Sequence, residues 1–285
     1  MGRASKSQFW ESAHKNNQSF MIYYNRLLEL YTSEFTYDDL PDTMDERYLE
    51  LVLFGRGMGV LFEDENLGYL GLSVMVNGGF NVYRIPVNRT AYAANGYRKK
   101  LTDKDSVIIY NNYIRTPSLE AAEYFAMKLW NIDRAIDVNV NAQKTPILIQ
   151  CVESQRLTLK NAYKDYEGNM PVIWGESDAK IDEAIKAINT GAPYVADKLY
   201  ALKQQVWNEA LTYAGISNVG AEKKERMVSN EVRFDMGDVL ANRFSRLAAR
   251  EQAFDKFNRM LGTNVKVRYR NEIERSELVD VPLHD

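Results

Sequence analysis

Few side chains in this 285-residue chain stand where chemistry would need them. Glu63, Asp64 and Glu65 could hold Mg²⁺, as a nuclease requires, but adjacent acids on a strand alternate between faces and a solvated turn is their commoner setting. Gly55, Gly57 and Gly59 resemble part of a phosphate-cradling loop. Without a following Lys-Ser/Thr or a preceding strand of a βαβ unit, a helix-ending turn is expected instead. His14 and His284 lie near the two ends, where neither is placed to act as a general base or a metal ligand. Cys151 sits in the apolar run ILIQCV with no histidine nearby in sequence, so it reads as a buried free thiol rather than a nucleophile. The chain is therefore read as no enzyme, with no metal and no cofactor.

The elements that would carry these residues are long. Val195, Leu199, Leu202, Val206, Ala210 and Tyr213 recur at spacings of three or four, an apolar stripe on a helix opened by Pro193 and closed by Gly215. Its other face, Lys198, Ala201, Gln205, Asn208 and Thr212, is polar and almost uncharged. A second helix of similar length from Ser118 carries Leu119, Ala122, Phe125, Leu129, Ile132, Ile136 and Val140. Two such helices flanking a module of about 50 residues are most simply antiparallel neighbours. That module holds strand-like runs ILIQCV and PVIWG around a helical segment at 157–166.

Residues 217–238 exceed the roughly 12 to 15 residues usual for an unstructured connection, which predicts a functional loop. A third helix follows over 239–261, with Leu240, Phe244, Leu247, Phe254, Phe257 and Leu261 inside and Arg243, Arg246, Arg250, Lys256 and Arg259 outside, then a strand over 264–269. At the other end, residues 1–16 read as a loose arm carrying Arg3, Lys6 and Lys15. Helices are predicted over 19–32 and 44–54, and short strands over 60–113, among them VLFE, YLGLSVMV, NVYRI and SVIIYN. The fold class is α+β.

A net charge of −3 argues against a uniformly basic nucleic-acid binder, yet the charge is uneven. Residues 34–65 hold ten carboxylates against Arg47 and Arg56, and residues 239–275 hold nine Lys/Arg against four Asp/Glu. No apolar run approaches the ~20 residues of a membrane span, and MGRASKSQ lacks a signal-peptide core, so assembly in a cytoplasm and no membrane partner are expected. The nearly neutral outer faces of the two long helices predict lateral self-association.

The segments NVNAQKTPILI (139–149), LKNAYKDYEGNMPVI (159–173), APYVADKL with VWNE (192–209), EKKERMVSNEV (222–232) and LGTNVKVRYR (261–270) closely resemble the portal proteins of small short-tailed bacteriophages, also called upper collar or head-tail connector proteins. The similarity is strong over about 107–270 and thin before it. It implies a ring of twelve subunits at one capsid vertex, a conduit for double-stranded DNA during packaging and ejection. The stem would be 118–142 and 193–216, the clip 143–192, the channel loop 217–238, and the wing 17–117 with the helix and strand of 239–285. Lys198, Gln205, Lys223, Lys224 and Arg226 would face the channel. Asn189 stands where the family pattern can carry a lysine, so a second positive ring is not expected there.

The implied partners are a packaging ATPase, then a lower collar or tail protein, the major capsid protein and, through Arg3, Lys6 and Lys15, a packaging RNA. Two other readings stay open on the residues alone: a different nucleic-acid-binding protein using the basic stretch 239–275, and a metal-dependent nuclease using the acids near Glu63.

Overall fold

The computed structural model describes residues 3–143, 147–151, 172–176, 185–187, 193–217 and 229–270, with side chains over 18–143, 193–217 and 237–270. The chain divides into a larger unit, Met1–Lys128 with Val206–Asp285, and a smaller one, Leu129–Gln205.

In the larger unit, helix α1 (Arg3–Thr32) leads to strand β1 (Phe35–Asp38) and helix α2 (Glu46–Arg56). The helix reaches back through the expected loose arm, since residues 3–16 contain neither proline nor glycine to break it. Asp45 caps α2 by accepting from the Tyr48 N–H at 2.8 Å, and Gly57 ends it at φ 75°, its N–H on the Leu53 carbonyl. A Cβ at Gly57 would lie 2.8 Å from the backbone of Thr116 and Pro117, so the GRGMG sequence is a helix-ending turn under tight backbone contact.

Five antiparallel strands follow, β2 (Met58–Asp64), β3 (Gly68–Val76), β4 (Asn88–Tyr92), β5 (Arg98–Thr102) and β6 (Ser106–Tyr110), in the spatial order β5-β4-β3-β2-β6. β2 is apolar throughout its middle because both of its faces are covered. Val60 and Phe62 pack with Ala91 and Leu101, while Leu61 packs with Leu49, Leu53 and Phe254. The NVYRI run is not a strand. The Asn81 side chain accepts from the Tyr83 and Ile85 N–H groups, which curls the segment into a turn and leaves Val82 and Tyr83 exposed.

Helix α3 (Leu119–Gln143) begins in the larger unit and ends in the smaller. The smaller unit contains strand β7 (Ile147–Cys151), paired in parallel with β8 (Val172–Glu176) and antiparallel with β9 (Ile185–Ala187). The expected helical segment at 157–166 lies outside the described residues. Helix α4 (Ala196–Ala214) returns to the larger unit. Within the smaller unit, Asn139 Nδ2 donates to the Pro193 carbonyl at 2.8 Å, its Oδ1 accepts from Val195 N–H at 3.0 Å, and Lys203 meets Asp133 at 2.7 Å. Within the larger unit, the rings of Phe125 and Tyr213 lie 6.1 Å apart. In each, higher numbers on α4 face lower numbers on α3, so the helices are antiparallel neighbours.

Helix α5 (Ser229–Leu261) starts ten residues before the sequence pattern suggested. Its first turns run through the second half of the expected loop, which holds no proline and a single glycine, Gly237. Strand β10 (Lys266–Tyr269) then pairs antiparallel with β1, from Phe35 opposite Tyr269 to Asp38 opposite Lys266.

The faces of α5 differ from the expectation in its first half. Phe244 is 68% exposed, whereas Arg246 and Arg250 are 3% and 1% exposed. Arg246, Arg250, Phe254, Phe257 and Leu261 form one stripe at helical spacing; the Glu50 carboxylate draws Arg250 in, while Arg246 lies over the Tyr31 and Tyr213 rings beside Glu34. Arg250 grips Glu50 with Nε and Nη2 at 2.8 and 2.7 Å and donates to the Asn111 carbonyl at 2.7 Å. Arg246 lies 3.6 Å from Glu34. A buried charge needs such partners, and a forked guanidinium supplies several donors from one side chain.

Candidate nucleic-acid interface

The candidate channel face is a stripe on α4. Lys198, Ala201 and Gln205 are exposed on it, while Asn208 and Thr212 are half-buried. Seven residues separate Lys198 from Gln205, a rise of about 10 Å. The opposite side of α4 is anchored: Val206, Ala210 and Ala214 are buried, and the Tyr31 hydroxyl donates to the Ala210 carbonyl at 2.8 Å. Arg26 stacks 4.2 Å above the Trp207 ring. At the end of α4, Asn242 and Arg243 on α5 donate to the Thr212 and Gly215 carbonyls, satisfying acceptors that a helix leaves open. Within the larger unit this anchoring fixes which side of α4 is buried.

Lys203, the other cation of α4, is engaged by Asp133, which leaves Lys198 as the exposed cation on the described part of this helix. Sparse charge and small polar groups suit a surface that touches phosphates without reading bases. Of the other residues expected to line it, Lys223, Lys224 and Arg226 lie outside the described residues. Arg3, Lys6 and Lys15 fall on the first turns of α1, where the structure describes the backbone alone.

Apolar side chains also remain in the open on both long helices. Tyr124, Met127, Val138 and Val140 on α3, and Tyr200 and Leu202 on α4, are between 43% and 64% exposed. Leu202 and Val140 were expected inside, so the buried stripe is narrower than the sequence pattern. Tyr124 and Met127 belong to the larger unit and the other four to the smaller.

The alternative sites do not assemble. Asp64 accepts from the Tyr97 hydroxyl at 2.6 Å, from Lys99 at 3.1 Å and from the Asn66 and Leu67 N–H groups, which hold its carboxyl well below the usual range. It pins the β2–β3 turn. Among the described residues no group of three or more His, Cys, Asp and Glu could hold a metal. The basic stretch 239–275 is largely committed internally. Besides the buried Arg246 and Arg250, Arg243 stacks 4.4 Å from the Tyr269 ring, Arg268 pairs with Asp38 at 2.9 Å and Arg270 with Glu46 at 2.8 Å. Sequence reasoning missed this arrangement, although four of its carboxylates lie in the acid-rich stretch 34–65. No helix among the described residues is long and apolar enough to cross a membrane.

The chain is an α+β protein that carries two long antiparallel helices. The family model for the phage connector, GP10, matches residues 10–274, and the chain belongs to that family. The family is a structural, non-enzymatic one, that of phage portal and head-tail connector proteins. The fold is similar to that of a chain in the portal and tail of native bacteriophage P68, with a TM-score of 0.52 and 19% identity over 97% of this chain and 94% of that one. An HK97 family phage portal protein from Corynebacterium diphtheriae aligns over 93% of this chain and 95% of its own at a TM-score of 0.39 and 11% identity.

Proposed function

We propose that the chain forms a ring of twelve subunits at one capsid vertex and serves as a conduit for double-stranded DNA during packaging and ejection. The observation that carries this reading is the antiparallel pair α3 and α4 in a connector-family chain, anchored on one side and bearing uncovered apolar groups elsewhere. Lateral neighbours in a ring would cover Tyr124, Met127, Tyr200 and Leu202, whereas a single copy leaves them in water.

In this reading residues 118–142 and 193–216 form the stem and 143–192 the clip. The stripe Lys198 to Gln205 faces the channel. Lys223, Lys224 and Arg226, which lie outside the described residues, add positive charge around the DNA. Each exposed lysine contributes little at physiological salt, where the Debye length is about 8 Å. Weak contacts let the duplex slide, and sequence reading would be a hindrance because the whole genome must pass. The energy for packaging comes from a separate ATPase docked on the clip, replaced later by a lower collar or tail protein. The wing, 17–117 with 239–285, contacts the major capsid protein, and Arg3, Lys6 and Lys15 on α1 contact a partner such as a packaging RNA.

The test is labelling and complementation in assembled heads. Gold-labelled antibody to this chain should decorate a single vertex, and heads assembled without the chain should hold no nuclease-resistant DNA. Label distributed over the shell, or normal DNA content without the chain, would overturn the proposal.

A further inference from the structure

The larger unit holds a charged cavity of about 550 Å³ between the last turns of α5, strand β6 and the 81–89 segment. Arg89, Lys256 and Arg259 supply three cations to its lining, and Asp103 supplies one carboxylate, leaving an excess of two positive charges. Arg89 is 2% exposed. Its Nη1 reaches only the Ser106 carbonyl, at 3.4 Å, and its buried Nε has no partner among the described residues. The nearby Asp105 is occupied, accepting from the Thr102 N–H and hydroxyl at 2.6 and 3.1 Å.

A buried guanidinium is normally satisfied on every edge, because an unmet donor forfeits its hydration. In this fold the comparison is close at hand: Arg250, equally buried, spends Nε and Nη2 on the Glu50 carboxylate. Arg89 has the same fork, but the Asp103 carboxylate in the lining and the nearby Asp105 act on it only through space, with no hydrogen bond to either among the described residues.

We propose that this cavity binds a phosphate group, with Arg89 gripping two of its oxygens from the floor and Lys256 and Arg259 neutralising it from α5. Two excess positive charges match a phosphate dianion better than a single carboxylate, and an arginine fork suits two oxygens of one tetrahedral group. Ile85, Ile108 and Met260 line the remaining room, which would take the organic part of a phosphate ester. The phosphate source is either a small free ester or a nucleic-acid backbone, and the site stands independently of the conduit reading.

The test uses the purified full-length protein in calorimetric titrations with inorganic phosphate, a nucleoside 5′-monophosphate and a short DNA duplex, against acetate at matched ionic strength. Phosphate and the monophosphate should bind where acetate does not. Arg89→Met, and separately the exposed pair Lys256→Ser with Arg259→Ser, should each weaken phosphate binding at least about tenfold. Displacement of the monophosphate by duplex assigns the site to nucleic-acid backbone, and its retention assigns it to a small ester; both support the site. An equal response to acetate, or phosphate affinity unaltered in the Lys256/Arg259 variant, would overturn it.

Discussion

The guanidinium of Arg250 and the carboxylate of Glu50 meet through two parallel hydrogen bonds of 2.8 and 2.7 Å, although 200 positions separate them in the chain. The Tyr37 hydroxyl donates to the same carboxylate, and the Phe35 ring lies 4.0 Å from the guanidinium. Burial and the adjoining Glu50 carboxylate both raise the Tyr37 hydroxyl well above its ordinary pKa. The cluster joins β1, α2 and α5 at the point where the outer parts of the chain close on each other.

Removing one partner should strand a buried charge. Arg250→Met is expected to lower stability by about 3–5 kcal/mol, and the double variant with Glu50→Met by clearly less, since no charge is left unpaired. Urea unfolding at fixed protein concentration reads both. A loss under about 1 kcal/mol in the single variant would mean that the pair is not what holds α2 to α5.

Glu34 gives a pH signature. Burial raises its carboxyl from 4.5 to about 8, opposed only in part by Arg246 and Arg250, and neither of its oxygens has a hydrogen-bond partner among the described residues. The folded chain then keeps this proton over a range in which the unfolded chain has lost it. The contribution is fully present below about pH 4.5 and falls away as pH rises to about 8. Glu34→Gln should flatten that slope and gain on the order of a few kcal/mol relative to the parent at pH 8. Parallel stability curves for parent and variant between pH 5 and pH 8 would contradict it.

Asn139 holds α3 to the start of α4 by serving one backbone donor and one backbone acceptor with a single amide. Asn139→Ala leaves both without that partner and should cost about 1–2 kcal/mol locally. Hydrogen exchange at residues 193–199 should quicken while the five-stranded sheet of β2 to β6 is unaffected. Unchanged exchange there would show that the helices are held together elsewhere.

Lys198→Ala removes an exposed cation with no packing role visible in the structure. Assembly and thermal stability should stay within about 0.5 kcal/mol of the parent, while heads carrying the variant retain less DNA. Loss of assembly instead would make Lys198 an interface residue between subunits.

The long helices, their antiparallel relation and the Gly57 and Gly215 endings were legible because periodicity and glycine punctuation are local signals. The direction of α5 was not. Arg246 and Arg250 continue the stripe of Phe254, Phe257 and Leu261, but a rule that places charge outside sends them to solvent and draws Phe244 in. The uneven charge held the missing clue: the acid-rich stretch 34–65 and the basic stretch 239–275 meet as Glu34 with Arg246, Asp38 with Arg268, Glu46 with Arg270 and Glu50 with Arg250. These four pairs join the two stretches within the fold. β4 and β5 were missed because RTAY and RKKL carry few apolar residues, and Asn81 turned a strand-like run into a loop. For the candidate interface, Lys198 and Gln205 were readable from helical spacing, whereas Arg89 was not, since its burial depends on strands distant in sequence.

The measurement that bears most directly on the account is native mass spectrometry of the purified protein together with end-on electron microscopy. A closed ring of about twelve copies, its central hole wide enough for a DNA duplex of ~20 Å and α4 lining that hole, is the predicted result. A stable monomer or dimer at micromolar concentration, with Tyr124, Met127, Tyr200 and Leu202 still open to solvent, would contradict it.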